Sequence, residues 1–159
     1  MLFERIVPKI DQKYQDLAQA HIQHDMPLYD KKLTTFDYNE FDDGCPWLRR
    51  FENNPAFSDV TISFLNYVEV LAQAVLSGLV DEDFAYRSNG LYFINVVNAV
   101  RVYIAANREG KNSFAYSDTI TLFERWNHRN ESERVSQQHM KSPTWQATKK
   151  KIIKPIGFN

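Results

Sequence analysis

Three groups of residues have types and spacings that could do chemistry. His21 and His24, followed by Asp25, form a His-x-x-His-Asp cluster. Two imidazoles three residues apart on a helix can share a metal ion, but a third ligand would have to come from elsewhere in the fold. A histidine near a helix C-terminus also complements the helix dipole without any metal, and the incomplete ligand set favours that reading. Arg134 and His139 stand about one helical turn apart, a spacing at which a cation and an imidazole could bind and activate a phosphodiester. Glu69, with Asn66 beside it, lies in the most apolar stretch of the chain. A carboxylate there could serve as an acid or base of raised pKa. It could equally be a structural carboxylate satisfied by Arg101 or Arg87 along a helix seam. No second carboxylate at helical spacing accompanies Glu69, so the seam Asn66, Glu69, Arg101 is the expectation.

Most familiar chemistries have no footprint. Gly-x-Ser-x-Gly, a phosphate-binding P-loop and a dinucleotide fingerprint are missing, and five glycines leave little material for phosphate-cradling loops. Cys45 is the only cysteine, which excludes an intramolecular disulfide and a thiolate zinc cluster and fits a reducing cytoplasm. A formal charge of −1 gives no global pull towards nucleic acid or membrane. The charge is unevenly placed, however. The last nineteen residues carry Lys141, Lys149, Lys150, Lys151 and Lys154 with no acid, together with Trp145 and the apolar Ile152, Ile153, Ile156 and Phe158. Lysines alone would suit a solvated terminus or a phosphate backbone, with Trp145 stacking on a base. The added apolar residues tilt the reading towards docking on a protein.

Elements that would position these residues can be read from periodicity. Ile62 to Leu79 is aliphatic, aromatic or alanine apart from Ser63, Asn66, Glu69, Gln73 and Ser77, which recur every three or four residues and fall on one stripe of a helix. A helix apolar over most of its surface is buried on several sides, so this stretch marks the centre of a helical core. Glu69 in its middle argues against a membrane span. Ser58 or Asp59 could cap it, and Gly78 could stop it. Before it, Ile6, Ile10, Tyr14, Leu17 and His21 predict an amphipathic helix with Pro8 near its first turn and Pro27 at its end. Residues 28–46 lose periodicity and carry Phe36, Tyr38 and Phe41, which predicts a loop ordered by its rings, and a short helix is expected over Trp47–Asn53. After Gly78, Asp81 could cap a long helix from Glu82 to Arg108, with a kink near Ser88–Gly90, as an antiparallel neighbour of the central one. A last helix is expected from Phe114 to about His128.

The succession Leu65-Asn66-Tyr67 with Glu69, then Gly78, Asp81-Glu82, Arg101, Arg108 and Arg125-Trp126, resembles an uncharacterised bacterial helical family described only as a domain of unknown function. The resemblance covers residues 60–129 and implies an all-helical protein. Members of that family often carry an amino-terminal membrane segment. Here the first five residues already hold an acid and a base, and no apolar run of signal length comes after them. The Arg134–His139 spacing is similar to that of the helical ribonucleases of the higher-eukaryote-and-prokaryote nucleotide-binding family, although Val135 stands where a polar residue is usual.

The expected fold is therefore all-α: a single-domain bundle of four or five main helices over residues 1–129, with an ordered aromatic loop and a basic, weakly ordered C-terminal extension over 130–159. The expected function is non-enzymatic, without metal or cofactor and away from membranes. It would be exercised in the cytoplasm through contact with another protein or a second copy. Contact residues would be Trp145, Lys149, Lys150, Lys151, Ile152, Ile153 and Phe158, with Phe36, Tyr38 and Phe41 as a second candidate surface. The alternative is an RNA- or DNA-directed factor that uses Arg134 and His139.

Overall fold

Short polar side chains that take up a helix's first amides mark the starts of the two central helices of this chain. A computed structural model describes residues 2–141, and among them lie five α-helices and no strand. They are α1 (Leu2–Gln23), α2 (Pro46–Glu52), α3 (Pro55–Leu76), α4 (Glu82–Ala106) and α5 (Ser117–Lys141). Asn54 caps α3 by accepting from the Phe57 amide at 3.1 Å, with Pro55 in the first position, where its missing N–H costs nothing. The Asn-Asn-Pro sequence that reads as a break is therefore a start, and Ser58 and Asp59 lie inside the helix. Asp81 caps α4 through the Phe84 amide at 2.7 Å, as expected.

Helix ends are equally specific. At α1 the Met26 amide bonds to the His21 carbonyl at 2.9 Å and the Asp25 amide to that of Ile22 at 3.3 Å. This double closure turns through a left-handed residue, here Asp25 at φ 47°. The turn ends the helix before Pro27 is reached. Pro8 lies well inside α1, because the helix begins at Leu2. Gly78 ends α3 at φ 79°, as its place in the sequence predicts. α4 runs unbroken through Gly90, where a Cβ would stand 2.6 Å from the Tyr86 ring. That glycine is a packing requirement.

α3 is the hub. It packs most extensively on α1, then on α5, and also on α2 and α4, while α4 packs on α5. Phe57, Phe64, Leu65 and Val68 of α3, Val97 and Ile104 of α4, and Leu122 and Trp126 of α5 are each at most 3% exposed. Each such side chain contributes about 1.5–3 kcal/mol of burial, which is where the bundle's stability originates. α3 is long and apolar enough to cross a membrane by length and composition, yet its Phe57, Phe64, Leu65, Val68, Leu71 and Val75 are buried within the bundle.

Between α1 and α2 the chain is held by its rings. Phe36 and Phe41 are buried and Tyr38 is half-buried. Phe41 stacks on Trp47 at 6.1 Å, Trp47 on Phe51 at 5.4 Å, and Phe36 meets Phe123 edge-on at 5.4 Å. The Trp47 indole donates to the Pro27 carbonyl at 2.8 Å. Phe36 and Phe41 are thus core rather than the contact surface expected of them, since rings that order a long loop are consumed in doing so, while Tyr38 packs against that core and stays partly exposed.

Candidate functional site

Glu69 does not meet Arg101. The side of α3 that carries it faces the start of α5, where the carboxylate accepts from the Asp118 amide at 3.3 Å, the Thr119 amide at 2.9 Å and the Thr119 hydroxyl at 2.6 Å. Tyr116, whose carbonyl accepts the Ile120 amide, stands at the cap position of α5 but has no short polar side chain to offer. Glu69 supplies the cap from another helix instead. Tyr116 itself is held at φ 61°, an unusual conformation for a bulky residue. Burial, with the Glu69 charge nearby, pushes its phenol up to about 12. Asn66 is exposed and belongs to no seam.

Arg101 has a different task. Its guanidinium donates to the Thr34 carbonyl at 2.9 Å and to Asn98 Oδ1 at 2.9 Å, and lies 4.2 Å over the Phe36 ring and 5.2 Å from that of Phe123. It fastens the aromatic loop to α4. Glu82, Arg108, Arg125 and Trp126, which also carried the resemblance, act in the same way. Glu82 accepts from Arg125 at 2.8 Å and from the Trp126 indole at 3.1 Å, and Arg108 holds the Ser113 carbonyl at 2.7 Å. Asp83 pairs with Arg87 at 2.8 Å and Arg129 at 2.7 Å, while Tyr86 donates to Glu133 at 3.0 Å. An acid pair at the start of α4 and an Arg-Trp pair on α5 are visible in the sequence. Nothing in their spacing says that they meet.

The histidine cluster is dispersed. His21 Nδ1 lies 2.7 Å from the Met26 carbonyl, which can only accept, so that nitrogen carries the proton; in the neutral ring Nε2 then accepts from the Tyr103 hydroxyl. Burial pushes the Tyr103 phenol up, which keeps it an O–H donor at neutral pH. Asp25 is bound to Arg50 at 2.9 Å. His21 therefore has no nitrogen to give a metal while these bonds stand. Among the described residues no group of three or more His, Cys, Asp or Glu is placed to hold one.

Arg134 and His139 lie on α5, which runs to Lys141 rather than stopping near His128. Every residue from Glu131 to Lys141 is exposed, so the apolar periodicity fades while the helix continues. Five residues apart on a helix, the two side chains leave it about 140° apart and do not converge. Trp145, Lys149, Lys150, Lys151, Ile152, Ile153 and Phe158 lie outside the described residues.

The concave feature that sequence reasoning missed is a cleft of about 450 Å³ between residues 28–33 and the 98–103 face of α4. Lys31, Lys32, Asn98 and Arg101 supply its polar groups, and Leu33 and Val102 part of its apolar wall. A smaller cavity of about 130 Å³ shares Leu28, Ala99 and Tyr103 with it and has His21 in its wall. The Lys31-Lys32 pair inside an otherwise acidic loop was the one available signal, and only the fold sets it against Arg101.

A helical bundle whose recurrent polar residues are internal fasteners defines a structural class but no reaction. The chain belongs to the family described as Domain of unknown function (DUF4760), whose model matches residues 10–126. No curated protein and no solved structure matches it.

Proposed function

We propose that the protein is non-enzymatic and acts through protein–protein contacts, as a small cytoplasmic regulatory protein of bacterial or phage origin with an antitoxin-like, defence-related or host-interference role. The observation that carries this reading is where the reactive side chains are spent. Glu69 is bound to α5 amides, Glu82 to Arg125 and Trp126, and His21 to Met26 and Tyr103. Groups held in fixed hydrogen bonds within the fold are not free to act on a substrate. The exposed end of α5, with Val135 and Met140 on it, offers surface of the kind a partner would cover. The basic tail beyond it in the sequence would add electrostatic steering towards an acidic partner.

Affinity purification of the tagged full chain from its own host tests this, with the partner then rebuilt from purified components. A purified partner that binds the full chain and binds a chain lacking residues 141–159 more weakly supports the reading. Cleavage of RNA or DNA by the purified protein, abolished by His139→Ala, would replace it with the nuclease alternative.

A further inference from the structure

We propose that the cleft between residues 28–33 and α4 is a binding site for a small organic anion, its charged head held between Lys32 and Arg101 and its apolar body against Leu33, Ala99 and Val102. Arg101 carries the argument. Its side chain is partly buried in the cleft wall, and the groups it bonds to, the Thr34 carbonyl and the Asn98 amide oxygen, are both neutral. It makes no ion pair among the described residues. A cation withdrawn from water without a counter-charge is costly, and an anion in the cleft would restore what the fold leaves out. Desolvation pushes Arg101 down from its ordinary value, the direction expected of a cation short of solvent, with Glu40 and Glu124 only partly opposing it.

The head site is preorganised. Two hydrogen bonds and the stack on Phe36 fix the guanidinium plane, while three of its five N–H donors are not used by these bonds. Lys31 is paired with Asp42, but Lys32, exposed on the same wall, has no partner among the described residues. No carboxylate lines the cleft, and Glu40 and Glu124, whose charges reach Arg101, stand outside its wall. Its volume of about 450 Å³ is that of a small-molecule pocket. Leu28, 75% exposed at the lip, lacks a polar role and would close over an apolar ligand body.

Calorimetric titration of the full chain with phenyl phosphate, benzoate and inorganic phosphate tests the assignment. At least one organic anion should bind a single site with a Kd of about 1 mM or tighter, and inorganic phosphate about tenfold more weakly. The better of the two organic anions identifies the head as phosphate or carboxylate, and either supports the proposal. Lys32→Glu reverses a charge that no fold contact uses, and Ala99→Trp fills the cleft from an exposed helix position. Both should weaken the better ligand by about tenfold or more while leaving helicity and melting midpoint unchanged. Three results would overturn the proposal: no saturable binding of either organic anion, inorganic phosphate bound as tightly as both, or affinity unaltered in both variants.

Discussion

At the scale of single residues the chain relies on carboxylates that receive backbone amides. Glu69 takes two amides and a hydroxyl of α5, so Glu69→Ala should lower stability by about 1–3 kcal/mol, because buried donors at a helix start would lose their acceptor. A melting midpoint equal to that of the parent would contradict the capping role. Glu40 is bound by the Thr34 amide and hydroxyl and by the Thr35 amide, at 2.5, 2.8 and 2.7 Å, and also by the Thr35 hydroxyl. Burial pushes its carboxyl up, but these bonds prevail and bring it from 4.5 to about 2. A carboxyl lowered in the folded state stabilises fully above about 4.5, and that contribution disappears as the pH falls through about 2. Thermal melts of the parent and Glu40→Gln should therefore differ most at neutral pH and converge below about 2. A difference that stays constant across that window would show that the Thr34–Thr35 turn is held by something else.

Among the elements, those with strong periodicity and a nearby cap are legible in the sequence: α3 as the buried hub, Asp81 at the start of α4, and Gly78 at the end of α3. The errors have physical causes. α5 reads too short because its last turns bury nothing, and a helix with no buried face leaves no apolar stripe to read. The start of α3 is easily misplaced because Asn-Pro signals both a break and a capped beginning. The Glu69–Arg101 pairing fails because a stripe of polar residues reveals that a face exists, and not which helix faces it. The cleft is not legible for the same reason, since Lys32 and Arg101 are brought together only by the packing of a loop on α4. Gly78 offers a test of the turn itself. A Cβ there would touch nothing within 4 Å, so Gly78→Ala isolates the cost of φ 79° from any clash and should destabilise by about 1 kcal/mol. If Gly78→Ala melted with the parent, the α3–α4 link would have to reach its geometry without a left-handed residue.

For the molecule as a whole, the buried core and the surface proposed for association belong to different parts of the chain. Every buried hydrophobic residue among those described lies between Ile6 and Trp126, and α5 beyond Asn130 contributes none. Stability is expected to be insensitive to removal of residues 142–159, because residues 6–126 already supply a buried core drawn from all five helices. Association should be sensitive, because Trp145, Lys149, Lys150, Lys151, Ile152, Ile153 and Phe158 combine the lysines that speed encounter with the apolar residues that slow release. A chain ending at Lys141 is thus expected to melt within about 2 °C of the full chain, since a shift that small corresponds to well under 1 kcal/mol for a domain of this size. It should also bind the purified partner at least about tenfold more weakly, a loss of about 1.4 kcal/mol. Replacing the three clustered lysines by glutamine would then divide the loss. A fall in association rate that vanishes at high salt would identify steering, whereas Ile152→Ala and Phe158→Ala should act on dissociation at any salt. A shortened chain that binds as tightly as the full one would move the contact surface back onto the helices, where the exposed Val135 and Met140 of α5 are the residues to change next.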